Sequence, residues 1–249
     1  VARIAAGSPA FRRINRAMAF GGFSIFALLY CVQPLMPLLG RDFRLSPAQS
    51  SLVLSVSTAT LALALLGSSS VAERFGRKTV MVASMISGAV LTLACAFASN
   101  YTQLVAVRGL MGLMLGGLPA VAMAYLSDEI EPTSLGLSMG MYISGSAFGG
   151  MSGRVISAFI SDVASWRVAL GLLGAAGLYA AWEFSRSLPP SRHGGAPPAR
   201  GPGFVDGLRI HLRDPGLPWL FALPFLLMGA FVSLYNYIGY RLLAPPFGL

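Results

Sequence analysis

The chain has 249 residues, 55% of them hydrophobic and 11% charged, with 18 Lys+Arg against 9 Asp+Glu, a formal net charge of +9 and a mean hydropathy of +0.69. A water-soluble domain carries about 25% charged residues, so this chain has too few to cover a wetted surface, and it is too apolar for disorder. Two cysteines exclude a disulfide scaffold, and two distant histidines give a metal site little support.

Seven long apolar runs predict membrane-spanning helices. They cover residues 17–39, 51–72, 79–99, 102–126, 133–160, 168–185 and 216–240. The strands of a membrane β-barrel would be about ten residues of alternating pattern, and these runs do not alternate. The first run follows a basic segment (Arg3, Arg12, Arg13, Arg16) like that of a signal peptide, but its 23 residues exceed the usual 7–15 of such a leader. A retained first helix is the expectation.

Within run one, Pro34 and Pro37 predict a kink near its end. Phe26, Tyr30 and Gln33 share a face, and Gln33 is too polar to meet lipid cheaply; these are candidate cavity residues. Cys31 and Cys95 lie in spans and read as small packing residues. Between runs two and three stands Glu73-Arg74-Phe75-Gly76-Arg77-Lys78, one acid and three bases around a glycine suited to a tight turn. Arg108 is a full charge inside run four. Facing lipid it would cost at least about 2.5 kcal/mol, so it should face the bundle interior or a watery cavity. It either binds substrate and assists coupling or fixes neighbouring helices by pairing with backbone carbonyls.

Run five carries rows of small residues, Gly136-x-x-x-Gly140 and Gly145-x-x-x-Gly149-x-x-x-Gly153, which predict close helix contact. Arg154 lies near its end, where it can snorkel or take a functional role. Run six is the shortest and is expected to use Trp166 and Trp182 as interfacial anchors. Residues 186–215, with Pro189, Pro190, Pro197, Pro198 and Pro202, read as an extended linker. Its second part is either a short interfacial helix (Phe204, Leu208, Leu212 at four-residue spacing) or an unstructured basic loop. Run seven carries Tyr235, Asn236 and Tyr240, a comparable polar set. The expected organisation is therefore a six-helix bundle at 1–185, a linker at 186–215 and a lone further helix at 216–249.

Placing the N-terminus in the cytoplasm puts twelve basic residues on inner segments and four on outer ones, which the positive-inside rule favours. The net charge then reflects topology and attraction to the inner leaflet. No nucleic-acid-binding module is legible.

The turn Ser69-Ser70-Val71-Ala72-Glu73-Arg74-Phe75-Gly76-Arg77-Lys78 resembles the loop motif of the major facilitator superfamily, G-x-L-a-D-r-x-G-r-k. Ala72, Arg74, Gly76, Arg77 and Lys78 match; Glu73, Val71 and Ser69 replace Asp, Leu and Gly. Leu104-x-x-x-Arg108-x-x-Met111-Gly112 is similar to the fourth-helix pattern l-x-x-x-R-x-x-q-G, with Met111 for Gln. The glycines of run five resemble the antiporter motif g-x8-G-x3-G-P-x2-G-G, with Gly150 where Pro stands and Arg154 where the last Gly stands. Tyr30-Cys31-Val32-Gln33-Pro34-Leu35-Met36-Pro37 narrows the likeness to the bacterial efflux-permease branch. Phe26-x-x-Leu29-Tyr30 and Phe231-x-x-Leu234-Tyr235 repeat between runs one and seven, which that family relates by a parallel repeat.

The resemblance implies an all-α integral membrane protein: the N-terminal six-helix bundle of the fold plus one helix of a second bundle. It implies a multi-pass protein of the cell (inner) membrane, and a secondary transporter that exports small organic molecules by proton antiport and alternating access. Phe26, Tyr30, Gln33, Arg108, Tyr235 and Asn236 are the candidate substrate contacts. Glu73, Arg74, Gly76, Arg77, Lys78 and Asp128 are the candidate inner-face latch, with an ionic cluster among Glu73, Arg77 and Asp128. Gly136, Gly145, Gly149 and Gly153 are the packing residues, which by resemblance hold the two halves together at the outer side. No Asp or Glu lies deep in a span, so proton coupling falls to Glu183 or Asp42, or to a group past residue 249, or is absent. Neither a cofactor nor a metal is expected, and no nucleophile–base pair points to an enzyme. A seven-helix receptor is the rival reading. The only lysine is Lys78, in a loop, which excludes a retinal Schiff base in the last span, and the charge split opposes an outer N-terminus. Seven spans do not make two equal bundles, so the chain is read as incomplete and unable to transport alone.

Overall fold

The computed structural model describes residues 3–191 and 204–248, with side chains except at 68–70 and 204–208. Two compact units result, Val1–Gly195 and Ala196–Leu249.

In the first unit every helix start has a sequence cause. Helix α1 (Pro9–Tyr30) begins well before the apolar run. Ser8 caps it, its hydroxyl accepting from Phe11 N–H at 3.1 Å, and Pro9 stands in the first turn. A 3₁₀ turn (Gln33–Leu35) and α2 (Met36–Asp42) continue the same span past Pro34 and Pro37. Helix α3 (Pro47–Phe75) opens on a full capping box of Ser46 and Gln49. Gly76, at φ +86°, ends α3 and starts α4 (Arg77–Ala96); a side chain there would be strained. Asn100 caps α5 (Tyr101–Leu115), and Ser165 caps α8 (Trp166–Ser187).

Run four, expected as one helix, is two. Helix α5 breaks at Gly116, and α6 follows (Gly117–Glu129). Pro119 has no N–H, so the Leu115 carbonyl loses its helical donor. The Ser84 hydroxyl supplies it at 3.0 Å and accepts from Leu118 N–H at 3.2 Å. Run five is one long helix, α7 (Pro132–Val163). Among the described residues, six spans combine the length and apolarity needed to cross a membrane, α7 not among them. Its glycines and serines lower its hydropathy while letting it lie flush on α1.

The pairing of helices reveals two groups of three spans. The first span (α1–α2) packs on α7, the second of the other group. Reciprocally, α3 packs on α5 and α6, while the third helices α4 and α8 pack on each other. Both crossed pairs are parallel and use glycines. Gly145, Gly149 and Gly153 meet Ala19, Phe23 and Ala27, and Gly109, Gly112 and Gly116 meet Val56, Ser57 and Ala64. Four-residue steps on both partners keep the contact in register along the α1–α7 pair.

The second unit holds α9 (Phe204–Arg213) and α10 (Leu217–Leu243, with Pro224 inside). The linker thus does contain a short helix. Asp214 accepts from Gly216 and Leu217 N–H at 2.8 and 2.9 Å. Those backbone donors hold its carboxyl below the usual carboxylate range.

Candidate functional site

Arg108 occupies the middle of the bundle and is fully buried. Its Nη2 donates to the Leu29 carbonyl at 2.7 Å, Nη1 to Leu28 at 3.2 Å, and Nε to Val53 at 3.3 Å. Leu28 and Leu29 lie in the last turn of α1, whose carbonyls have no helical donors ahead of them. The guanidinium therefore caps a broken helix, and a cation is favoured at that negative end. Met111, where the resemblance has Gln, offers its sulfur to Arg108 at 3.4 Å and to Thr92 at 3.2 Å. Arg108 therefore faces the bundle interior, and pairing with backbone carbonyls is one of the two roles its sequence position left open. Its exposure is 0%, and these bonds tie α5 to α1 and α3.

One helix over, the candidate residues of α1 assemble around an arginine that the sequence left undecided. Arg154 does not snorkel. Its Nε donates to Gln33 Oε1 at 2.5 Å, its Nη1 to the Gly150 carbonyl at 2.7 Å, and its guanidinium lies 4.2 Å from the Tyr30 ring centroid. Phe26 stacks on Tyr30 at 6.2 Å. Gln33 is buried, whereas Phe26, Tyr30 and Arg154 are half-buried. The arrangement offers an aromatic wall and an amide over about two helix turns, with the cation fixed against them from α7. The available signal for Arg154 was an arginine at a position that the resembled motif gives to glycine.

Tyr235 and Asn236 lie on α10 in the second unit. There Tyr235 packs on Phe231 with centroids 4.6 Å apart.

At the membrane face where α3 ends, Arg77 forms an ion pair with Asp128 and donates to the Ala124 carbonyl at 2.7 Å. The start of α4 is thus tied to the end of α6. Glu73 is not part of this cluster: it is exposed and forms no ion pair among the described residues. Arg74 lies over Phe75, 5.5 Å from the ring centroid, and Lys78 is half-buried. Nearby, buried Glu129 accepts from the Ser191 hydroxyl at 2.9 Å, and Tyr125 donates to the Pro189 carbonyl at 2.9 Å. Ile4 bridges to Ile130. The segment after α8 and the N-terminal segment are both fastened to this face.

Three of the four packing glycines make close contact, and they do so with α1 inside the bundle. Gly136 does not: a Cβ there would meet nothing within 4 Å, because it stands nine residues before Gly145, half a turn out of phase, and so lies on the opposite side of α7, while Ser134 and Ser138 beside it remain buried. At the opposite face, Trp166 is buried rather than interfacial. Its indole donates to Asp42 at 2.6 Å, and Arg167 pairs with the same carboxylate at 3.7 Å. Among the described residues, no group of three or more His, Cys, Asp or Glu is placed to hold a metal.

The profile of the Major Facilitator Superfamily matches residues 18–247. The chain belongs to that superfamily. It is 46% identical over 240 residues to the inner membrane transport protein YnfM of Escherichia coli (strain K12), covering 96% of this chain and 58% of that protein. It is also 46% identical over 243 residues to the MFS-type transporter YybF of Bacillus subtilis (strain 168), covering 98% and 60%. The chain therefore spans about three-fifths of the length of these curated relatives. Among solved structures, it resembles a bacterial homolog of the human lysosomal transporter Spinster in an inward-facing, unoccupied conformation. The TM-score is 0.79 at 18% identity, over 96% of this chain and 56% of that one, which shows the fold. This superfamily chain is a multi-pass membrane protein with a superfamily N-terminal bundle, and its relatives are transporters.

Proposed function

We propose that this bundle is the N-terminal half of a secondary transporter that exports small organic molecules across the bacterial inner membrane by proton antiport. The observation that carries the reading is the Tyr30–Gln33–Arg154 cluster. It holds a cation and polar groups at membrane depth, where such groups are rare and commonly mark a substrate or ion pathway. Phe26, Tyr30, Gln33 and Arg154 supply one wall of the substrate site. Tyr235 and Asn236, on the helix related to α1 by the family repeat, are further substrate contacts. Arg108 acts from behind that wall by holding the broken end of α1. Alternating access is rocking of one bundle against the other about this site. The turn of Arg74, Gly76, Arg77 and Lys78, latched to Asp128, works at the cytoplasmic face.

Two measurements test the reading. Flux in proteoliposomes containing the full-length gene product should depend on an imposed pH gradient and fall in Tyr30→Ala and Arg154→Gln. Gradient-independent flux would remove proton coupling, and unchanged flux in both variants would remove the site. A cytoplasm-only reporter should work after Lys78 and within residues 194–195, and fail after Ser161. The reverse pattern would overturn the orientation.

A further inference from the structure

A groove of about 560 Å³ runs between α1 and α8 in the halves of those helices nearest the start of α1. Its walls are Phe20, Phe23, Tyr179 and Phe184, and it also carries two opposite charges, Arg16 and Glu183. Of its lining only Glu183 has been given a functional role above, as one of the candidate proton-coupling carboxylates. Arg16 and Glu183 are both exposed. They do not pair with each other: the ion pairs among the described residues are Arg77–Asp128 and Arg167–Asp42. Glu183 is positioned by the Ser187 hydroxyl, which donates to it at 2.8 Å.

The depth of these charges identifies what they meet. Arg16 lies seven residues inside the start of α1 and Glu183 four residues before the end of α8, about 10 and 6 Å along the helix axes. Arg16 directly precedes the uncharged run 17–39, and Glu183 stands near the end of the apolar run 168–185, so both lie where their helices pass from the hydrocarbon to the headgroup zone. An aromatic belt marks the same level. Tyr179 and Trp182, 67% and 49% exposed, pack together at 5.8 Å, and Arg186 lies over Trp182 at 4.8 Å. Arg13 donates to the Arg186 carbonyl at 2.6 Å, fastening the two helices at this end. Deeper in the groove the lining is aromatic, and Phe20 is 59% exposed.

A groove with an apolar floor, a cation and a separate anion at headgroup depth complements an amphiphile that carries both charges. We propose that it binds a phospholipid with a phosphate and a primary ammonium. Arg16 takes the phosphate, Glu183 accepts from the ammonium, and an acyl chain lies along Phe20, Phe23 and Tyr179. The proposal stands independently of the transport reading. A purely anionic lipid would leave Glu183 facing a like charge. A quaternary ammonium would bring no N–H to its carboxylate.

The test is lipid retention by the full chain in detergent, read by native mass spectrometry with phosphatidylethanolamine, phosphatidylcholine and phosphatidylglycerol of matched chains. One charge contact near the membrane surface corresponds to about a fivefold preference. Phosphatidylethanolamine should be retained over both others by at least that much. Glu183→Gln should lower it to the level of phosphatidylcholine, and Arg16→Gln should lower both. Arg16→Lys and Glu183→Asp should retain the preference. Excess glycerophosphoethanolamine, which has the headgroup without the chains, should not displace the lipid. Equal retention of the three lipids, a phosphatidylglycerol preference, or wild-type behaviour in both neutral variants would overturn the proposal. So would equal loss in the conservative and neutral variants, or full displacement by the soluble headgroup, which would make this a site for a small zwitterion.

Discussion

Replacing Gly149 by alanine tests the α1–α7 seam most directly. The added Cβ would lie 2.5 Å from Phe23 Cα and 2.6 Å from its carbonyl carbon, where ordinary contact begins at 3.4 Å. The obstacle is backbone, so no rotamer change relieves it, and α7 must withdraw by about 1 Å. A gap of that size forfeits a quarter to a half of the dispersion attraction between facing atoms. Gly145 and Gly153 lie on the same row against Ala19 and Ala27, so withdrawal at one step loosens its neighbours. Overpacking of this kind costs about 1–3 kcal/mol, offset by up to about 1 kcal/mol from the better helix propensity of alanine. Net destabilisation of about 1–2 kcal/mol is expected. Gly136→Ala is the internal control, since nothing lies within 4 Å of its Cβ position, and it should stabilise by up to about 1 kcal/mol. Unfolding in mixed micelles with increasing dodecyl sulfate, followed by circular dichroism, measures both. Stabilities of the two variants within about 0.5 kcal/mol of each other would refute the packing argument.

Three further outcomes are expected. Arg108→Gln should cost about 1–3 kcal/mol and raise amide exchange at residues 32–36, where the broken end of α1 loses its cap; wild-type exchange there would contradict the capping role. At the membrane face, a double-mutant cycle between Arg77 and Asp128, whose side chains are 22% and 30% exposed, should give coupling of only about 0.2–1 kcal/mol. In the full-length gene product, Arg77→Glu should impair flux and Asp128→Arg alongside it should restore part, and a double variant no better than the single one would remove the latch. The Asp214 carboxyl is held below its unfolded value by backbone N–H donors, so its stabilisation of the start of α10 is present above the unfolded pKa and lost as pH falls through the folded one. Amide exchange at Gly216 and Leu217 should therefore rise in that acidic window, and Asp214→Ala should show the raised exchange at neutral pH.

Apolar runs, cap residues and the Gly76 turn are local properties, so the sequence by itself determined the order of the apolar helices and the loop between α3 and α4. The spacing of Gly145, Gly149 and Gly153 likewise announced a close helix contact, because a four-residue step always lies on one helix face. Which helix fills that contact was decided only by the tertiary structure, which seats the row on α1 and leaves Gly136, half a turn out of phase, on the far side of α7. The break at Gly116 was hidden because run four, Arg108 apart, is apolar along its whole length and long enough for one helix. Pro119 can be tolerated there only because Ser84, on another helix, supplies the missing donor. The same reason separates the two arginines. As residues in a sequence, Arg108 and Arg154 are equivalent charges inside spans. Arg108 became a buried cap because α1 happens to end beside it, leaving carbonyls to satisfy, whereas Arg154 faces Tyr30 and Gln33 across the glycine seam. The role of a charge in a membrane follows from the groups that the fold brings within hydrogen-bond reach, and those come from helices distant in the chain.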